Sequence, residues 1–68
     1  MNATQFKRKA EAAFKKTNPT ASVEWISAKQ VTYPTGVKEY RGQFIAEAAG
    51  YRTRQMTAMG DDSYVMVR

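Results

Sequence analysis

Sixty-eight residues with eleven Lys and Arg, six Asp and Glu, no Cys and no His carry a formal charge of +5. A chain this short buries only about 60% of the surface its unfolded form exposes, so its core is thin. The missing Cys and His rule out disulfides, the usual zinc sites, and catalysis by histidine or cysteine.

The first eighteen residues hold Lys7, Arg8, Lys9, Lys15 and Lys16 against Glu11, whereas the remaining fifty hold six cations against five acids. The surplus positive charge is therefore concentrated at the start of the chain. There, Phe6, Ala10, Ala13 and Phe14 fall at i, i+4, i+7 and i+8, one stripe of a helix. Asn2 or Thr4 can serve as N-cap, Asn2 and Gln5 have capping-box spacing, Glu11 precedes Lys15 by four residues, and Lys15 and Lys16 suit the negative end of the helix dipole. Asn18 fits a left-handed residue after the helix and Pro19 stops it. These signals predict a helix over about 3–17. No continuous apolar run precedes or overlaps it, which is read as no secretory signal, no membrane span and a cytosolic setting.

After Thr20 the composition turns to Val, Ile, Thr and aromatics and the period drops toward two. Strands are predicted at about 22–33, 37–49, 51–59 and 63–68, separated by turns at Tyr33-Pro34-Thr35-Gly36, Ala49-Gly50 and Gly60-Asp61-Asp62. In the first strand Val23 and Trp25 share a face while Ile26 and Ala28 share the other, a conflict that a bulge near Trp25–Ile26 resolves. The fold class is α+β: one domain, with one N-terminal helix packed on an antiparallel meander of three to four strands.

A two-residue turn at Ala49-Gly50, with positive φ at Gly50, sets a register. It pairs Glu47 with Arg52, Ala46 with Thr53, Ile45 with Arg54, Phe44 with Gln55, Gly42 with Thr57, Arg41 with Ala58 and Tyr40 with Met59. One face then collects Tyr40, Gly42, Phe44, Ala46, Ala48, Tyr51 and Met59 without a charge. This is taken as the core face, with Gly42 and the alanines letting the helix lie close. The other collects Arg41, Gln43, Ile45, Glu47, Arg52, Arg54, Met56 and Ala58. A three-residue turn at 60–62 adds Tyr64 and Met66 to this second face and sends Val65 and Val67 inward.

The acids Glu24, Glu39, Glu47, Asp61 and Asp62 are scattered or sit in a turn, where Asp serves backbone reasons. No glycine-rich phosphate loop and no calcium-loop ligand set occurs. The expectation is no enzyme, no cofactor and no metal. The candidate partner-binding residues are Arg41, Arg52, Arg54, Ile45, Met56 and Tyr64, because arginine with Met, Ile and Tyr is interface composition. The expected partner is an acidic or mixed protein surface or a second copy of the chain. The alternative is nucleic acid, with phosphates held by Lys7, Arg8, Lys9, Lys15 and Lys16 together with Arg52 and Arg54. Against that alternative, each helix cation is also explained as a solvated face or a dipole partner. Trp25 and Tyr64 are the aromatics placed to stack on bases, with Trp25 read as core instead.

Overall fold

The computed structural model describes residues 1–48 and 53–68. A helix, α1 (Ala3–Thr17), is followed by β1 (Ser22–Thr32), β2 (Lys38–Glu47), β3 (Arg54–Gly60) and β4 (Val65–Val67). The strands form one antiparallel sheet in the order β1-β2-β3-β4, with the helix on one face. This is the α+β meander that the sequence predicts. The last strand is shorter than expected, and the predicted Ala49-Gly50 turn, with Tyr51 and Arg52, lies outside the described residues.

The helix begins where its capping box places it. The Asn2 side chain accepts from the Gln5 backbone N–H at 2.9 Å, and Gln5 accepts from the Asn2 N–H at 2.9 Å. Its end differs from the expectation. Asn18 is not left-handed, with φ −137. Its backbone N–H and its Nδ2 both donate to the Phe14 carbonyl instead, each at 3.1 Å. A side-chain amide thus satisfies a terminal carbonyl that would otherwise need a glycine-type cap.

Glu11 also has a different role. Rather than pairing with Lys15, its Oε1 accepts from the Trp25 indole N–H at 2.6 Å. A half-buried indole N–H needs a partner, and the flank of the helix supplies one. This bond ties α1 to β1.

The core is aromatic. Phe6 and Phe44 are fully buried, with Ala10, Tyr40, Ala46 and Ala58 around them. Phe6 stacks on Tyr40 with ring centroids 5.6 Å apart. Phe14 meets Phe44 edge-on at 5.3 Å, and Trp25 lies 4.9 Å from Phe44. Such pairs each add about 0.5–1.5 kcal/mol beyond area burial, a sizeable share for a thin core. Tyr40 Oη donates to the Met1 carbonyl, so its polar tip is satisfied.

The register of β1 shifts between Trp25 and Ser27. This bulge at Ile26 is the one that the broken alternation predicts. It lets Trp25 and Ala28 both face the helix while Ile26 turns outward, 53% exposed. Gly42 pairs with Ala28 beside the bulge. A Cβ there would sit 2.8 Å from the Trp25 ring and 2.7 Å from the Ser27 carbonyl oxygen. The absent side chain therefore makes room for the indole and the bulged strand, not for the helix as the sequence suggested.

The β2–β3 register is one residue away from the predicted one. Tyr40 pairs with Gly60, Arg41 with Met59, Gly42 with Ala58, Phe44 with Met56, Ile45 with Gln55 and Ala46 with Arg54. A one-residue slip reverses every side chain of a strand. Arg54, Met56 and Ala58 consequently share the helix side, and Gln55, Thr57 and Met59 share the open side. The observed register buries Ala58 completely and packs Met56 on the core. The predicted one would have buried Gln55 and Thr57, two polar groups, at a cost.

The β3–β4 connection also departs from a three-residue turn. Met59 pairs with Met66, not with Ser63. The Asp61 N–H donates to the Tyr64 carbonyl at 2.9 Å, and the Asp61 carboxylate accepts from the N–H groups of Ser63 and Tyr64. Val65 and Val67 nevertheless face the core and Met66 faces out, as predicted, because the longer connection also reaches β4 in that alternation.

Candidate functional site

With α1 on one side, no described residue covers the other side of the sheet. Its side chains follow from the pairing. One cross-strand row is Lys29, Arg41, Met59 and Met66. The next is Ser27, Gln43 and Thr57, continued by Arg68, which exchanges both backbone hydrogen bonds with Thr57. Beyond it come Glu24, Ile45 and Gln55, and then Ser22 and Glu47. Ile26, 53% exposed at the bulge, and Met66, 36% exposed, add apolar surface to the face.

The β1–β2 turn carries a small polar network on this face. Tyr33 Oη donates to Glu39, and an Arg41 guanidinium nitrogen lies 2.8 Å from Tyr33 Oη and 3.6 Å from the Glu39 carboxylate. The hydrogen bond to the Glu39 carboxylate raises the Tyr33 phenol above its ordinary pKa of 10.0. Desolvation adds to that shift, and the positive charge of Arg41 opposes it. The turn itself is a three-residue loop. The Gly36 N–H donates to the Tyr33 carbonyl, the Tyr33 N–H donates to the Val37 carbonyl, and Gly36 adopts φ +87. That loop geometry fixes the phenol over Glu39 and Arg41, and so orients an arginine on the open face.

Of the predicted binding residues, Arg41 and Ile45 lie together on the open face. Arg41 keeps half of its side chain exposed, and Ile45 is half-buried. Arg54 and Met56 lie on the helix side, a consequence of the one-residue shift, so they do not join Arg41. Tyr64 is 46% exposed, in the loop before β4. Arg52 lies outside the described residues. Met59 was assigned to the core and joins the open face instead. The signal that would have found it is the polar character of Gln55 and Thr57, which marks their side of β3 as the wet one.

Arg8, Lys9, Lys15 and Lys16 are exposed and Lys7 is half-buried, all on the helix, away from the open sheet face. Among the described residues the open face carries three cations, Lys29, Arg41 and Arg68, and three acids, Glu24, Glu39 and Glu47. These balance, and the helix carries five cations against one acid. Trp25 faces the helix within the aromatic core, as its reading as core requires.

A groove of about 500 Å³ opens where the C-terminal end of α1 meets the sheet, lined by Phe14, Ala21, Ala46, Met56, Val67 and Arg54 among others. The carbonyl end of the helix borders it, which disfavours an anion there. Among the described residues no three acidic side chains converge as metal ligands, and no helix is long and apolar enough to cross a membrane. No known family model, characterised protein or solved structure matches the chain.

Proposed function

We propose that this protein is a non-enzymatic interaction module that binds a protein surface of mixed character through the open face of its sheet. The observation that carries the reading is the uncovered face itself. Ile26, Ile45, Met59 and Met66 share it with Arg41, an arginine oriented by Tyr33 and Glu39, with Met59 as its cross-strand partner. Apolar side chains that exclude water around a pre-positioned guanidinium are what a binding hot spot needs. A rigid sheet also loses less freedom on binding than a loop. Arg41 and Ile45 keep the roles assigned from the sequence, and Met59 takes the place given to Met56.

A second reading is favoured by one observation, the exposed cations Arg8, Lys9, Lys15 and Lys16 on the helix. Their chemistry suits phosphate contact without base readout, hence sequence-independent binding of nucleic acid. The test is capture of partners from lysate by the wild-type chain, with and without nuclease. It is run beside an Ile45→Glu/Met59→Glu variant and a Lys9→Glu/Lys15→Glu/Lys16→Glu variant. The first reading requires capture that survives nuclease and is lost only in the face variant. Capture that vanishes with nuclease and with the lysine variant replaces it with the second.

A further inference from the structure

We infer that the open sheet face docks on the same face of a second copy of this chain, about a two-fold axis that runs across the strands. This rests on the reading of that face as the binding surface and names its partner. What selects a second copy is the placement of charge. Among the described residues three cations and three acids balance on the face, while residues 1–18 hold five cations against one acid on the other side of the sheet. A balanced face offers no net attraction to an acidic protein or to a phosphate backbone.

The charges are also sorted along the strands. Lys29 and Arg41 form a cross-strand pair toward the β1–β2 turn, and Glu24 and Glu47 lie toward the other end. Glu39, at the turn, is already engaged by Tyr33 and Arg41. Lys29 and Arg41 outweigh Glu39, so one end of the face is net basic, and the other is acidic. Reversing the face on a copy lays each end on its opposite. An axis along the strands would set the basic ends together. An axis across them, at the Trp25–Phe44–Met56 row, sets Arg41 of one copy against Glu47 of the other, because both lie three residues from Phe44. The symmetry makes that pair twice. The same axis brings Ile26 and Ile45 of both copies to the centre, with polar and charged groups around them.

Sheets pack face to face about 10 Å apart. The two basic helices then lie on the outer sides of a four-layer assembly. Their charges are separated by more than the screening length of about 8 Å, so their repulsion is weak. A stable dimer buries about 800 Å² per partner, roughly a sixth of the 4895 Å² surface. The molecule extends 44 × 19 × 17 Å, and its broad side has a footprint of that order.

The experiment is sedimentation equilibrium over a wide concentration range, with circular dichroism confirming the fold of each variant. Five samples are compared with the wild type: Arg41→Glu, Glu47→Arg, Ile45→Glu, an equimolar mixture of the first two, and the double variant Arg41→Glu/Glu47→Arg. The wild type is expected to dimerise. Each single charge reversal places like charges together twice and weakens the dimer by about tenfold or more. The mixture and the double variant restore opposite charges at both contacts and recover it. Arg41→Gln covers the case in which Arg41→Glu fails to fold, and should weaken the dimer to a smaller degree.

A wild type that stays monomeric overturns the inference. So does a dimer indifferent to Ile45→Glu and the charge reversals, or one that the mixture fails to rescue. A monomer that still captures a protein through Ile45 and Met59 removes the second copy and leaves the binding face standing. A monomer whose capture ignores those residues removes both.

Discussion

Gly42→Ala adds a single methyl group, yet the structure leaves no place for it. An ideal Cβ at this position would lie 2.7 Å from the Ser27 carbonyl oxygen, 2.8 Å from a carbon of the Trp25 six-membered ring and 3.3 Å from the Ala28 Cα. Two of these neighbours are backbone atoms on the bulged part of β1, so moving them disturbs the β1–β2 pairing. The third is a ring held by Phe44 and by its bond to Glu11. Overpacking of this kind costs about 1–3 kcal/mol. Against that, replacing glycine restricts the unfolded chain and returns about 0.4–1 kcal/mol. The net expectation is a loss of about 1–2 kcal/mol. Urea denaturation followed by the fluorescence of Trp25, the single tryptophan, measures it directly. Gln43→Ala, one residue away on the open face, is the control and should stay within about 0.5 kcal/mol. In a Trp25→Phe background, read by circular dichroism, the Gly42→Ala penalty should shrink but persist, because the Ser27 oxygen remains. A Gly42→Ala variant as stable as wild type, with unchanged Trp25 emission, would refute the placement of the indole over this glycine.

Phe6→Ala should cost about 3–5 kcal/mol, because the ring is fully buried, and Phe14→Ala should cost less, because that ring is half-buried beside the groove; urea melts of both settle the order, and equal losses would mean the helix is rotated. Ala58→Asp should unfold the domain while Thr57→Asp is tolerated, since Ala58 is fully buried and Thr57 faces solvent; the reverse result in thermal melts would restore the predicted register. The Tyr33 phenol should ionise above 10.0 in an ultraviolet titration read as the difference from Tyr33→Phe, and Glu39→Gln should lower it. Because the folded pKa is the raised one, the stability linked to this group is fully present below 10.0 and is lost as pH rises through the folded value. A Tyr33 titration unchanged by Glu39→Gln would show that the network around Arg41 does not form.

Features governed by near neighbours were legible in the sequence. The capping box at Asn2 and Gln5, the stop at Pro19 and the turn closed by Gly36 each depend on a few adjacent residues, and α1 lies where they place it. The bulge was legible too, because Val23, Trp25, Ile26 and Ala28 cannot all satisfy one alternation. Arg41 and Ile45 came out on the open face because their alternation with Phe44 within β2 needs no partner strand. The side on which Arg54 and Met56 lie depends on how β3 meets β2, and a period of two makes a one-residue error reverse the whole strand. Only the tertiary structure decided it, by burying Ala58, packing Met56 against the core and leaving Thr57 in water. The same holds for Gly42 and Glu11. Nothing nearby in sequence shows that Trp25 occupies the space above one and donates to the other. Both depend on contacts between segments that meet only when the chain has packed.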